Sequence, residues 1–290
     1  MHSFAIVSDS ACDIPPALTA ERQITLVPFY STFDGEHYQK EGVELSLATF
    51  YHTLRTQKVY PKTSLPSIQD YVDACKPILE QGQDILCFCL AQKFSGSYQS
   101  AVNAAAILRE DFPGRKMIVM DSMQVSAGQG FIVLEAARQR DNGASLEDTV
   151  SAIEAWKESV RIIATVDSLE YLQRGGRIGK VSSLAGSILN IKPLFLVQDG
   201  ELSPYGKVRG RKKAIQEMIS YVLKAVGDQK DSYLYCVIHS DCPDDGNALV
   251  RELAGNYGIN VALPLIDIGV TVGVHIGPTA LGIAYAPKPY

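Results

Sequence analysis

Residues 84–101 read DILCFCLAQKFSGSYQSA. The first eight, DILCFCLA (84–91), are a continuous apolar run, as in a strand buried on both faces. From Ser97 onward, SYQSAVNAAAILRE sets Ala101, Ala104, Ala105 and Leu108 on one helical face. Ser95, Gly96 and Ser97 stand at the handover. A buried strand that passes through a glycine turn into a helix is the unit of a parallel sheet covered by helices. Gly96 allows a close backbone approach, and Ser97 can cap the helix, whose first N–H groups favour an anion. A capped helix with no ligand is the plainer local interpretation. The alternatives are a phosphate, an acyl group attacked by a serine, and a carboxylate that is only held.

The same rhythm continues on both sides. FAIVSD (4–9), ITLVPFYSTF (24–33) and KMIVMDS (116–122) read as strands. Helical periodicity marks residues 45–56, a stretch from Ser67 as cap to Gly82 as stop, and a segment from residue 122 to about Arg140. Ligands in such sheets sit beyond the carboxyl ends of strands, where Asp9-Ser10, Ser95-Gly96-Ser97 and Asp121-Ser122 all fall. Ser145 opens a further helix (145–160) with Asp148 in a capping-box position. Beyond it RIIATVDS, SYLYCVIHS and VALPLIDIG (261–269) read as strands, and Asp199-Gly200 as a hairpin turn. Residues 169–193 are glycine-rich and irregular. The expected class is α/β in two domains. Residues 1–160 would form a parallel sheet with helices on both faces, and residues 161–290 a mixed α/β domain.

Composition narrows the function. The 290 residues are 46% hydrophobic and 20% charged, with net charge −5, which fits a globular chain and gives no bulk reason to expect nucleic acid. No apolar run reaches spanning length and the start lacks a secretion pattern, so no membrane insertion and a cytoplasmic location are expected. The six cysteines form no C-x-x-C pair, and Cys87 and Cys89 share one face of their strand, so buried free thiols are expected and no metal.

No G-x-x-x-x-G-K-[ST] accompanies the Ser95 turn, and no G-x-S-x-G frames Ser95. A phosphometabolite module and a serine hydrolase using Ser95 with His275 as base therefore remain only as alternatives. KTSLPSIQDY (62–71) is a second hydroxyl cluster, in which Thr63 is a turn residue or a donor to an anion held at Ser95. His275 stands alone among small apolar residues and needs a partner. RGGRIGK (174–180) and KVRGRKK (207–213) are local basic patches, fitted to solvent, to phosphate or to an acidic partner.

In this order, VSDSACDIP, KTSLPS, FSGSYQSA, MDSMQVSAGQG, LEYLQRGGRIGK, KVRGRKKA and GVHIGPTALGIAY resemble the DegV family of bacterial fatty-acid-binding proteins over almost the whole chain. The resemblance implies two α/β domains with one long-chain fatty acid, such as palmitate, buried between or beneath them, and no other cofactor. It implies a carboxylate site at Thr63 and Ser95 with the backbone of Gly96 and Ser97 alongside, and His275 and Arg174 in the same polar network. It further implies a carrier, not a catalyst. Some family members present the acid to a separate kinase that makes an acyl phosphate, a role in which Arg177, Arg209 and Arg211 would dock the partner.

Overall fold

The computed structural model describes residues 4–57, 59–185 and 190–289. The chain opens with β1 (Phe4–Asp9), α1 (Pro16–Glu21), which begins on a proline whose missing N–H would have had no helical partner, and β2 (Ile24–Val27). Here it leaves the first sheet. Pro28 has no N–H to donate to a ladder, so the stretch 24–33, expected as one strand, becomes two strands in two sheets. β3 (Tyr30–Thr32), β4 (Gln39–Lys40) and, after α2 (Leu47–Gln57), β5 (Lys62–Ser64) form a small antiparallel sheet in the order β4-β3-β5.

α3 (Ile68–Glu80) has the expected start: the Asp70 N–H donates to Ser67 Oγ at 3.1 Å and the Ser67 N–H to Asp70 Oδ2 at 2.8 Å. β6 (Asp84–Cys89), α4 (Ser97–Asp111) and β7 (Met117–Asp121) follow, completing a four-stranded all-parallel sheet in the order β2-β1-β6-β7. Then come α5 (Ala127–Asp141) and α6 (Leu146–Lys157), the latter capped by Ser145, which accepts the Asp148 N–H at 3.1 Å.

The rest of the chain is β8 (Arg161–Thr165), α7 (Glu170–Arg174), β9 (Ile191–Gln198), β10 (Glu201–Arg209), α8 (Arg211–Val226), β11 (Tyr233–His239), α9 (Pro243–Tyr257), β12 (Ile266–Asp267), α10 (Val270–Ile276) and β13 (Leu281–Pro287). Its strands make a mixed sheet in the order β10-β9-β8-β13-β11-β12, in which only β11 and β12 run parallel. The β9–β10 turn is Asp199-Gly200, with φ of +54° and +73°, as the dipeptide predicts. The expected strand 261–269 shrinks to Ile266–Asp267, two residues after Pro264. The glycine-rich stretch holds α7 and a 3₁₀ turn, Gly179–Leu184; its residues 186–189 lie outside the described ones.

Strand alternation sorts the layers. Val7, Ile85, Cys87 and Cys89 pack on α3 and α4. Phe4, Ile6, Leu86 and Phe88 face the other way, into a core shared with α5, α6 and the inner face of the mixed sheet. The outer face of the mixed sheet, with Ile163 and Leu196, packs on α8 and α9. The two sheets therefore meet across one apolar layer. Five of the cysteines are buried, Cys242 is half-buried, and all six are free thiols. Among the described residues no helix is long and apolar enough to cross a membrane.

Candidate functional site

A cavity of about 250 Å³ lies between the two sheets. Leu90 and Phe94, just beyond β6, form one wall, and Ile162, Ala164, Phe195 and Val197 of β8 and β9 form another. Most of its lining is hydrocarbon, but Thr63, Ser95, Arg177 and His275 also reach it. A second recess of about 460 Å³ shares Thr63, Arg177 and His275 with the cavity and continues past Tyr60, Tyr171 and Arg174. These three shared polar residues therefore stand where an apolar space meets an outer one.

Thr63 is the middle residue of β5, opposite Ser31 of β3. Its Oγ1 lies 3.0 Å from Nε2 of His275, in the last turn of α10. Nδ1 of His275 has no hydrogen-bond partner among the described residues and faces Gly175, where a Cβ would stand 2.2 Å away. In the tautomer protonated at Nε2, with Nδ1 bare against that Cα, His275 donates to Thr63 Oγ1 and leaves the Thr63 hydroxyl proton for another acceptor. Burial, and then the nearby Arg177 charge, push the imidazole down to about 4, so His275 is neutral at pH 7. Gly175→Ala should force the imidazole out of place, costing about 1–3 kcal/mol of stability, read as a lowered Tm.

Ser95 lies in the turn between β6 and α4. Its Oγ accepts the Ser97 N–H at 3.2 Å, which leaves the hydroxyl proton available. Gly96, and not Ser97, is the N-cap of α4, and the side chain that takes the first helical N–H is that of Ser95, contrary to the expected role of Ser97. Neither Gly96 nor Ser97 lines the cavity. Ser97 Oγ turns inward, because Asp9 is there to take its proton: it donates to Asp9 Oδ2 at 2.8 Å and lies 2.6 Å from the Tyr71 hydroxyl. Asp9, with no exposed surface, also accepts the Leu90 N–H and Gln129 Nε2, each at 2.8 Å. Burial lifts its carboxyl from 3.8 to about 6 despite these donors. The end of β6 and the start of α4 are both fastened to this one side chain.

Of the two arginines of RGGR, Arg177 and not Arg174 lines the cavity. Arg174 ends α7, where its Nη2 pairs with Glu170 at 2.9 Å and its guanidinium stacks 3.8 Å from the Tyr60 ring centre. It borders the outer recess and not the cavity. Gly175 and Gly176, the latter at φ +69°, turn the chain back. Arg177 then reaches the cavity, its Nε donating to Phe94 O at 3.2 Å and its Nη1 to Gly175 O at 2.8 Å. Arg209 is exposed at the end of β10. Arg211, expected to face a partner, is half-buried and held by Asp245 at 2.9 Å.

The arrangement does not form a catalytic triad. His275 Nε2 pairs with Thr63, Ser95 Oγ with a backbone N–H, and no carboxylate orients Nδ1. Among the described residues no group of three His, Cys, Asp or Glu could hold a metal ion.

A family model described as "Uncharacterised protein, DegV family" matches residues 3–288. The chain belongs to the DegV family. A DegV domain-containing protein of Caldanaerobacter subterraneus is 36% identical over 288 residues, covering 99% of this chain and 100% of the relative. The mixed-over-parallel α/β fold recurs in solved DegV structures. A protein from Eubacterium ventriosum described as stearic-acid-binding superposes with TM-score 0.94 at 33% identity, over 98% of each chain. A DegV family protein from Thermus thermophilus, described by its fatty acid binding, gives 0.88 at 28% identity, over 99% of this chain and 100% of its own.

Proposed function

We propose that this protein binds one long-chain fatty acid, holds its carboxylate with Thr63 and Ser95, and presents it to a separate kinase. The observation that carries this proposal is the cavity between the sheets, mostly apolar and with hydrogen-bond donors gathered where it meets the outer recess. A sixteen-carbon acid has about fourteen methylenes, and at roughly 0.8 kcal/mol each their burial contributes about 11 kcal/mol before ordering costs. The tail dominates affinity and the head group fixes register. A carboxylate leaving water needs donors in place of its lost hydration. The free protons of Thr63 and Ser95 supply two, neutral His275 keeps the Thr63 proton pointed outward, and Arg177 adds charge. Gly96 and Ser97 serve through their backbone, the Ser97 N–H orienting Ser95, while Arg174 shapes the outer recess.

In this proposal residues 1–160 form a unit that carries Thr63 and Ser95, and residues 161–290 a second that encloses much of the tail and lends His275 and Arg177. The carboxylate faces the outer recess, from which a kinase could transfer a phosphoryl group to it. Arg177 and Arg209 are the exposed cations for docking that partner; Arg211 is engaged by Asp245. Charge reversal, Arg209→Glu, should slow kinase-dependent acyl phosphate formation by about tenfold with fatty-acid affinity unchanged.

Titration of a fluorescent fatty acid tests the head-group assignment. Each of Thr63→Ala and Ser95→Ala should weaken binding by about tenfold or more, as for hydrogen bonds to a charged group. Unchanged affinity in the double variant would remove both residues from the site.

A further inference from the structure

The register of the mixed sheet gives the cavity a direction and a depth. β8 ends at Thr165, opposite Leu281 of β13, and Arg177 and His275 belong to the segments that follow β8 and precede β13. The head-group residues therefore stand at the carboxyl end of β8. Going inward from there, the cavity face of β8 presents Ala164 and then, about 7 Å further, Ile162. Cross-strand pairing sorts the lining into two rows. In the row of Ala164, Phe195 on one side and Ile238, beyond Gly282, on the other also line the cavity. In the row of Ile162, Val197 and Leu202 line it, whereas Ala284 and Cys236 do not. Among the described residues no strand position of a deeper row lines it. Ile162 also leaves no room behind itself: a Cβ at Gly128, in the first turn of α5, would stand 3.2 Å from Ile162 Cδ1 and 2.5 Å from Gln124 Oε1. A short side chain opens the path at Ala164, and a branched one closes it one step on.

We propose that Ile162 is the stop for the methyl end of the acyl chain and sets the longest unbranched acid that the protein accommodates. This rests on the fatty-acid interpretation above and adds a specificity-determining residue to it. Each methylene buried short of the stop raises affinity about fourfold. Once the terminal methyl meets Ile162, one more methylene either strains a packed wall or pushes the carboxylate away from Thr63 and Ser95. Hydrogen bonds fix one end of the ligand and packing limits the other, so the site measures length. Truncating Ile162 to its Cβ frees room for about two methylenes, and removing only the δ-methyl frees room for about one.

The test uses the full-length protein and competitive displacement of a fluorescent fatty acid by saturated acids of successive length from C12 to C22. Wild-type protein should show a break: affinity rises by about fourfold per carbon up to one length and no further beyond it. Ile162→Ala should move the break up by about two carbons. The acid two carbons past the wild-type break should then gain about fifteenfold on the acid at it. Ile162→Val, a milder deletion that guards against misfolding of the first variant, should move the break by about one carbon. A break at the wild-type length in folded Ile162→Ala, or in Ile162→Val where the alanine variant does not fold, overturns the inference. Wild-type affinity that climbs without a break through C22 overturns it equally. Binding of no acid of any length to wild-type protein would instead sink the fatty-acid interpretation itself.

Discussion

Ala164→Phe leaves the protein folded and lowers its affinity for a sixteen-carbon fatty acid by about ten-thousand-fold. Ala164 lies on β8 and lines the cavity, while its neighbour Ile163 faces the opposite layer. A benzyl group there occupies space that the tail needs. Excluding about seven methylenes at roughly 0.8 kcal/mol each removes about 5–6 kcal/mol, or close to four powers of ten. The added side chain strains the core by about 1–3 kcal/mol, which circular dichroism and a melting curve would register as a lowered but cooperative transition. A folded variant with wild-type affinity would mean that the tail lies elsewhere.

The second large effect concerns stability and lies at Asp9. Asp9→Asn places an amide where a carboxylate oxygen accepts the Leu90 N–H and the Ser97 hydroxyl. It should cost on the order of 3 kcal/mol near pH 4, from donors left facing a donor. The gap should then narrow as pH rises. The folded-state pKa of Asp9 is raised from 3.8 to about 6, so the folded protein holds its proton more tightly than the unfolded chain. Its contribution is therefore fully present below 3.8 and is lost as pH rises through about 6, amounting to about 3 kcal/mol. Urea unfolding of wild type and variant at several pH values gives the difference directly. A gap that widens with pH would show that Asp9 is stabilised as a carboxylate and reverse the sign.

Most of the scaffold could be read from sequence because its signals are local. The apolar run 84–91, the Ser67 cap and the Asp199-Gly200 turn each carry their own chemistry, and each forms as expected. The small β3-β4-β5 sheet was not legible, since strands of two or three residues have no period to detect and pair only through contacts distant in sequence. Thr63 accordingly looked like a turn residue. Its neighbour in space, His275, is 212 positions away, and only the ordered motifs of the family linked the two.

Inside the site, residue type was legible and direction was not. Ser97 is a good capping residue by composition, yet a buried carboxylate competes for its hydroxyl and wins. Arg174 and Arg177 are three residues apart, and the chain reversal at the two glycines between them leaves only Arg177 on the cavity. An Asp at the end of a strand, DS at 9–10, was the available signal for the buried network, but a charged residue is read first as a ligand contact and only second as a fastener.

Native mass spectrometry of the protein purified without added lipid, followed by extraction and identification of any bound mass, bears most directly on the central claim. A one-to-one complex with a long-chain fatty acid is expected, and Ala164→Phe should purify without it. Lipid-free wild-type protein that takes up no long-chain fatty acid on titration would contradict the account.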